Sequence, residues 1–579
     1  MPEATFDDEL VGRARDWIAD DPDPETRAEL DSIVEAALAG DAEASADLAD
    51  RFAGTLTFGT AGLRGELGPG PNRMNLAVVI RAAAGIARWI RESDPEDGPS
   101  RGVAVCFDAR RGSRAFAEAT AEVLAAAGIR ALVLPGPLPT PVLAFVVRHL
   151  GTAAGVMVTA SHNPARDNGY KVYDGSGRQI VAPTDAAIAA GIAAVERVSD
   201  VERTGPDDPD IVRLDSAVVD AYVRRAAAVG RAPETRSVRL ATTALHGVGA
   251  ATLRRVLAAA GFDPPVEVPE QADPDPDFPT VAFPNPEEPG ALDRAVAVAA
   301  TSGADVLLAN DPDADRLGVA VPDPTLGDRS DPAGWRILRG DEIGVILADH
   351  LLRHGGFPSG AVLATTIVSS TLLSRMAASA GFPFRETLTG FKWITRAPRE
   401  GETLGFGYEE ALGYCVGDVV ADKDGMSAAV VFAEAVAVLA AQGRTVLDVL
   451  DDLAREHGVH LTGQWSARVE GSDGMTRLSA AMDRLRASPP SHLAGRPVAR
   501  IEDLLTGGAG SELPPSDVLV LHLDGGRVVV RPSGTEPKLK CYVEVVQQVV
   551  DADMPAARSA AETAMAELIA AIAAAIPLS

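Results

Sequence analysis

Short, nearly unbroken apolar runs recur along the chain and are followed by polar loops and alanine-rich stretches of helical length. The runs Val103–Phe107, Val238–Thr242 and Ala361–Ile367 read as buried strands. The stretches after them close on similar words, Leu124–Gly128, Leu257–Gly261 and Met376–Gly381. A glycine just past the last apolar turn is a helix C-cap signal. Strand, loop, helix and closing glycine make a βαβ unit. Three copies spaced by well over a hundred residues predict three similar α/β domains, not a solenoid. The C-terminal part differs. Val518–Leu523, a Gly525-Gly526 turn and Arg527–Arg531 predict a hairpin, Leu539–Val546 a further strand, and Ala556–Ile576 an alanine-rich helix. That is an α+β domain. The first fifty or so residues read as helical, with Pro24-Glu25-Thr26 opening a helix before Ala28–Leu38. Val201–Pro209, Pro322–Gly334 and Arg486–Pro497 carry the turn-rich composition of linkers. The expected organisation is a helical extension over 1–50, α/β domains over 51–205, 206–325 and 326–455, and an α+β domain over 456–579.

Composition narrows the class. A chain of 579 residues exceeds a single core, and 46% hydrophobic with 23% charged residues is an ordinary globular balance. The net charge of -29 repels nucleic acid and anionic membranes, so neither is expected as a partner, and a site for an anionic substrate needs a local basic patch. Three cysteines without CxxC spacing argue against a disulfide framework or cysteine zinc site. The acidic start MPEATFDDEL is unlike a signal peptide. The most membrane-like stretch, Met426–Ala441, is interrupted by Glu434 and reads as a buried helix. A cytoplasmic protein is expected, monomer or homodimer. Only five lysines occur: Lys171, Lys392, Lys423, Lys538 and Lys540. Each falls in a segment that also stands out on other grounds, and Lys differs from Arg in its tunable, exchangeable proton.

Five segments carry chemistry. In Gly155–Pro164 an apolar strand runs into the turn Ser161-His162-Asn163-Pro164, with Lys171 soon after. Ser161 then stands at a strand end, where parallel sheets place reactive groups, and His162 and Lys171 can move protons. The same residues also fit a turn with a capping serine. In Asn310–Arg316, Asp311, Asp313 and Asp315 alternate after an apolar run. An EF-hand is excluded by Arg316 and Pro322 where Gly and Glu are required. The three carboxylates suit Mg²⁺ with open positions, or form a solvated acidic turn. Thr57–Gly65 is a small-residue loop with one cation, Arg64, able to wrap an anion but lacking the P-loop pattern. Arg531-Pro-Ser533-Gly534-Thr535-Glu-Pro-Lys538-Leu-Lys540 combines hydroxyls, cations and N–H groups as an oxyanion nest does, or protects a sheet edge with charge. Gly407–Tyr414 brings the paired carboxylates Glu409 and Glu410, with Thr389 and Lys392 upstream and Lys423 downstream. These can bind sugar hydroxyls and phosphate, or form plain surface charge.

Taken together, the TASHNP turn, the DxDxDR loop, the glutamate loop and the RPSGTEP loop resemble, in order, those of the α-D-phosphohexomutase superfamily. The branch with phosphoglucomutase-2-like enzymes, which includes pentose phosphate users, looks most similar. The resemblance implies four domains around a central cleft, three α/β domains with mixed sheets and one α+β domain. It implies that Ser161 carries a phosphoryl group. Asp311, Asp313 and Asp315 then hold Mg²⁺ with a phosphoserine oxygen, and Lys171 transfers a proton. Arg64 and Arg316 serve the reacting phosphoryl group, and Glu409 binds sugar hydroxyls. Thr389 and Lys423 add substrate contacts, and Arg531, Ser533, Gly534, Thr535 and Lys540 hold the distal phosphate. Departures from the family pattern, Asn310-Asp311-Pro312 in the metal loop, Ala411 in the sugar loop and Lys540 in the phosphate loop, bear on sugar identity. The expected activity is a phosphosugar mutase with a sugar 1,6-bisphosphate as intermediate and activator. A bisphosphate synthase or phosphatase shares the same parts. A phosphosugar-binding regulator is the non-enzymatic rival.

Overall fold

The computed structural model describes residues 8–232, 234–469, 474–507, 513–533 and 538–576. The chain divides into two compact units. One comprises Met1–Ile337 with Cys415–Glu434, the other Leu338–Tyr414 with Ala435–Ser579.

The first unit opens with helices Asp8–Asp20, Pro24–Leu38 and Ala42–Arg51, joined by a small core of Val11, Leu30, Val34, Leu48 and Phe52. Asp23 caps the second helix by accepting from the Glu25 N–H, and Pro24 occupies the first helical position, where its missing N–H costs nothing. The first sheet has the order Leu63–Glu66, Asp167–Asp174, Ala154–Val158, Val103–Phe107, Ala131–Pro137, Ile211–Arg213. Its last four strands are parallel and its first two antiparallel to their neighbours, giving a mixed sheet. Val103–Phe107 and Ala154–Val158 are buried along their whole length, which is why they read as unbroken apolar runs. The second sheet runs Trp335–Ile337, Gly318–Pro322, Val306–Ala309, Leu240–Thr243, Val266–Glu267. Val306–Ala309 and Leu240–Thr243 are parallel, and Gly318–Pro322 is antiparallel to Val306–Ala309.

The second unit carries a sheet ordered Phe384–Thr387, Ala361–Thr366, Thr403–Glu409, Gly413–Val416, parallel across its first three strands. It also holds a six-stranded antiparallel sheet, Val459–Arg468, Lys538–Gln547, Gly526–Pro532, Leu519–Leu523, Arg496–Asp503, His492–Leu493. Helices Gly474–Ala487 and Met554–Ala575 bury their apolar residues against this sheet. Three α/β sheets and one α+β domain are thus present, as the repeat and the C-terminal hairpin predict.

Gly128, Gly261 and Gly381 all adopt positive φ just past their helices, the conformation a C-cap glycine supplies. All three expected linkers are internal connections instead. Pro322–Gly334 joins the antiparallel strands Gly318–Pro322 and Trp335–Ile337, so the second sheet extends past residue 325. Arg486–Pro497 runs from the end of helix Gly474–Ala487 into the outer strands of the C-terminal sheet. The first sheet likewise reaches Arg213, beyond Val201–Pro209. Proline and serine mark an exposed turn equally well inside a domain and between domains. Met426–Ala441 falls in the buried helix Gly425–Ala441, and the Glu434 carboxylate accepts from the Arg231 N–H (2.6 Å) and pairs with Arg236 (2.8 Å). Among the described residues no single helix is long and apolar enough to cross a membrane.

Candidate active site

Ser161 follows the buried strand Ala154–Val158, in a turn that forces its backbone into the left-handed region at φ 53°. Its N–H donates to Thr159 Oγ1 at 2.8 Å. Arg110 fixes the rest of the turn from below. Its guanidinium donates to the carbonyls of Ser161 (2.5 Å), Asn163 (2.6 Å) and Pro164 (2.8 Å), its Nε lies 3.3 Å from Asp108, and it covers the Phe278 ring. Four carbonyl dipoles, counting Asp167 at 3.2 Å, thus converge on one buried cation. The Ser161 hydroxyl is left facing Asp311, donating to Oδ2 at 3.0 Å, with His162 Nδ1 3.2 Å away.

Asp311, Asp313 and Asp315 follow strand Val306–Ala309 and are fully buried. One oxygen from each lies within 4.8 Å of the others. The loop is shaped by Ala314 at φ 55° and by Gly247, where a Cβ would stand 2.2 Å from Pro312 Cα. Thr140 opens helix Thr140–Leu150 and binds Asp313 twice, N–H to carbonyl (2.9 Å) and hydroxyl to Oδ2 (2.6 Å). Lys171, on strand Asp167–Asp174, donates to Asp313 Oδ2 (2.7 Å) and Asp315 Oδ2 (3.1 Å). Lys423 reaches Asp315 Oδ2 at 3.0 Å. Gly425 permits this approach, because a Cβ there would stand 2.2 Å from the Arg316 carbonyl oxygen.

The electrostatics are those of a cation site. Burial and the neighbouring Asp313 and Asp315 push Asp311 well above the usual carboxylate range. Burial opposes ionisation of Asp313 too, but Lys171 and the Thr140 hydroxyl hold it below that range. The second oxygens of Asp313 and Asp315 are buried and accept no hydrogen bond. Buried carboxylate oxygens without donors are costly, and a hard, oxygen-seeking divalent cation is the partner that satisfies several at once. The donor set therefore fits a metal. Burial, Arg316 and Arg64 press His162 well below its ordinary value, leaving it neutral at physiological pH.

Arg64 sits on strand Leu63–Glu66 and donates to Asn163 Oδ1 at 3.1 Å. The loop before it approaches the serine-bearing sheet so closely that a Cβ on Gly62 would stand 1.8 Å from the Tyr170 carbonyl oxygen. Arg316 donates its N–H to Asp311 Oδ1 (3.0 Å) and its side chain to Glu287 (3.1 Å). The first unit thus brings together Ser161, His162, Lys171, Arg64, Arg316, Lys423 and the three aspartates.

The second unit holds the other expected residues. Thr389 and Lys392 flank the start of the short helix Phe391–Ile394. Glu409 ends strand Thr403–Glu409. Glu410 accepts from Thr366 (3.2 Å) and Ser369 (3.1 Å) through Oε2, while its N–H donates to Ser369 Oγ (3.1 Å). Burial, Glu409 and Asp341 push Glu410 up to about 7. Arg531 and Lys540 stand directly opposite in the antiparallel register, and the Ser533 N–H donates to the Lys538 carbonyl at 2.7 Å. Like charges paired across strands are unfavourable without an anion between them. Gly534 and Thr535 lie outside the described residues.

Several functional candidates escape a reading of the sequence: Asp108, Arg110, Thr140 and Ser369. Only Asp108 carries a signal. It directly follows the apolar run Val103–Phe107, as Asn310-Asp311 follows Val306–Ala309. The others owe their roles to partners distant in the chain.

Four family profiles match in succession: phosphoglucomutase/phosphomannomutase alpha/beta/alpha domain I at residues 55–199, domain II at 220–326, domain III at 339–457 and the C-terminal domain at 468–560. A protein named as a probable phosphomannomutase of Haemophilus influenzae is 44% identical over 478 residues, 81% of this chain and 93% of its own length. A probable phosphoribomutase of Schizosaccharomyces pombe is 36% identical, covering 91% of this chain and 92% of its own. A putative phosphomannomutase structure from Thermus thermophilus superposes with a TM-score of 0.65 at 25% identity, over 89% of this chain and 99% of that one. The matches span all four domains, so the chain belongs to the phosphoglucomutase/phosphomannomutase family of the α-D-phosphohexomutase superfamily and is a phosphoryl-transferring mutase.

Proposed function

We propose that this enzyme interconverts the 1-phosphate and 6-phosphate of a hexose, glucose or mannose, through a phosphorylated Ser161 and a sugar 1,6-bisphosphate. The observation that carries the reading is the Ser161 hydroxyl, 3.0 Å from Asp311 in a buried aspartate triad flanked by Lys171 and Lys423. Asp311, Asp313 and Asp315 would hold Mg²⁺, which when bound offsets negative charge on the carboxylates and on the transferring phosphoryl group. In the first half-reaction the serine O–P bond breaks as an O–P bond forms to the free sugar hydroxyl. That hydroxyl's proton passes to a residue of the chain. We assign that role to Lys171, whose Nζ lies on Asp313 and Asp315 beside the serine turn. Burial and Lys423 lower Lys171, but Asp313 and Asp315 outweigh them and hold its ammonium above the usual range, so a proton-accepting role would require those carboxylates' charge to be offset. The bisphosphate then turns over, and its other phosphoryl group returns to Ser161 with the proton restored to the oxygen it leaves. Arg64 and Arg316 supply positive charge beside the turn that carries Ser161. Glu409 and Glu410, with Thr389 and Lys392, would recognise sugar hydroxyls, and Arg531, Ser533, Gly534, Thr535 and Lys540 the non-reacting phosphate.

A pentose phosphate is the second reading, favoured by the 36% identity to the fission-yeast protein named as a phosphoribomutase. Coupled turnover of glucose 1-phosphate, mannose 1-phosphate and ribose 1-phosphate, with Mg²⁺ and a trace of the matching bisphosphate, decides between them. Activity on a hexose phosphate that disappears in Ser161→Ala supports the proposal. Activity on ribose 1-phosphate alone replaces the hexose reading. Retained mutase activity in Ser161→Ala overturns the serine's role.

A further inference from the structure

The loop bearing Glu409 and Glu410 rests on the turn Ser369-Ser370-Thr371, which is tied down from two sides. Ser369 Oγ touches Glu410 twice, accepting from its N–H and donating to Oε2. The Ser370 N–H donates to buried Asp341 (2.7 Å), which also accepts from Tyr408, the neighbour of Glu409 (3.0 Å). The other side of the turn is held by the C-terminal sheet. Arg527 donates to the Ser369 carbonyl (2.7 Å) and to Glu386 (2.7 Å). Glu544 accepts from the Ser370 hydroxyl (2.8 Å), the Thr371 N–H (2.7 Å) and the Thr371 hydroxyl (3.1 Å), with His460 Nδ1 at 3.0 Å. Both side chains are buried, and they pair with each other at 3.3 Å.

Arg527 and Glu544 are directly opposite on strands Gly526–Pro532 and Lys538–Gln547. Two residues further along come Val529 and Tyr542, packed in one apolar cluster with Ile367, Val368 and Leu388. Two further still come Arg531 and Lys540. Side chains at i, i+2 and i+4 of a strand share a face. One face of this strand pair therefore reads lock, apolar pair, cation pair, with the cations about 13 Å along from the lock.

We propose that Arg527 and Glu544 are positioning residues that couple the glutamate loop to the strands carrying the phosphate-binding cations. The lock orients Glu410, and with it Glu409, relative to Arg531 and Lys540. It fixes where the sugar's hydroxyls are read with respect to its distal phosphate. A buried charged pair that serves only stability is weak design, since an apolar pair would do as well. One that places four hydrogen bonds on a single turn, from Arg527 to the Ser369 carbonyl and from Ser370 and Thr371 to Glu544, specifies that turn's position. This inference rests on the proposed contact between the glutamate loop and the sugar.

The test is a double-mutant cycle on the full-length enzyme, assayed with glucose 1-phosphate or the preferred sugar phosphate, Mg²⁺ and a trace of bisphosphate. Arg527→Lys keeps a charge but loses the fork that spans Ser369 and Glu386. Ser369→Ala removes only the hydroxyl that holds Glu410. Each is expected to raise KM about tenfold, the order of effect for losing hydrogen bonds to a charged group, with kcat changed less than about threefold. In a Glu410→Gln background neither should raise KM further. Additive KM effects in that background, or unchanged KM in both variants with melting temperature retained, overturn the positioning role while leaving the sugar contact standing. Unchanged KM in Glu410→Gln alone overturns the sugar contact itself. If Arg527→Lys does not fold, Glu544→Gln takes its place in the cycle, with the same outcomes expected.

Discussion

The left-handed backbone of Ser161 is a cost of about 1–2 kcal/mol held for the sake of one hydroxyl. Replacing it with glycine relieves that strain. Ser161→Gly should therefore raise the thermal midpoint relative to Ser161→Ala, by about 1 kcal/mol in denaturant titrations, while both variants lack mutase turnover. Equal stability of the two would remove the strain argument. Asp313→Ala should abolish turnover and keep the fold, because Lys171 retains Asp315 as its counter-charge at 3.1 Å and one carboxylate fewer lessens the mutual repulsion. Near-normal turnover would sink the metal assignment. At Glu410 the native carboxyl is raised from its unfolded range to about 7, so the folded state holds its proton more tightly. That contribution favours folding at low pH and is lost as pH rises from about 4.5 through about 7. Glu410→Gln should flatten stability against pH in that window, read by urea denaturation at pH 5 and pH 8. The serine turn and the aspartates were legible because each motif is contiguous and ends an apolar strand. Arg110 and Thr140 were not, since their partners, the Ser161 carbonyl and Asp313, lie 51 and 173 residues away.

Elements were legible wherever burial alone dictates composition. Val103–Phe107 is inside on both faces, and its sequence shows five apolar residues in a row. Leu519–Leu523 and Gly526–Pro532 pair as a hairpin, but across Asp524-Gly525, one residue earlier than the expected Gly525-Gly526, because Gly526 already pairs with Leu523. The Arg486–Pro497 stretch was misread because polarity reports exposure and not topology. Arg486 itself is anchored to Asp503 and Asp517 of the same domain. Helix Gly425–Ala441 shows what an isolated charge in an apolar run means once its partners are known. Glu434 is fully buried on Arg236 and the Arg231 N–H. Glu434→Gln should cost about 3 kcal/mol, because Arg236 would lose its counter-charge. Urea unfolding measures this, and a loss below about 0.5 kcal/mol would show the pair to be dispensable.

At the scale of the whole molecule, two compact units with separate cores should not unfold as one two-state system. Under the proposed assignment Mg²⁺ would bind only the native aspartate triad, so by linkage it should raise the transition of the unit that contains Asp311, Asp313 and Asp315. Calorimetry with Mg²⁺ and with EDTA checks this, and identical traces would argue against a site at the triad. That this unit is discontinuous was hidden from the sequence. Residues 415–434 return to it through Lys423 on Asp315 and through the hydroxyl of Tyr222 on Asp424, contacts that no local pattern announces. The same lysine points to a practical property of the protein. Lys171 and Lys423 are buried on the triad, while Lys392, Lys538 and Lys540 remain partly accessible in the segments proposed to contact substrate. Arginine supplies every other cationic side chain apart from histidine, and amine-selective acylating reagents spare it. Such a reagent becomes an almost site-directed probe here. Under the proposed assignment, acylation rates at Lys538 and Lys540 would report phosphate occupancy, that at Lys392 sugar binding, and reaction at the two buried lysines opening of the carboxylate cage, without any engineered label.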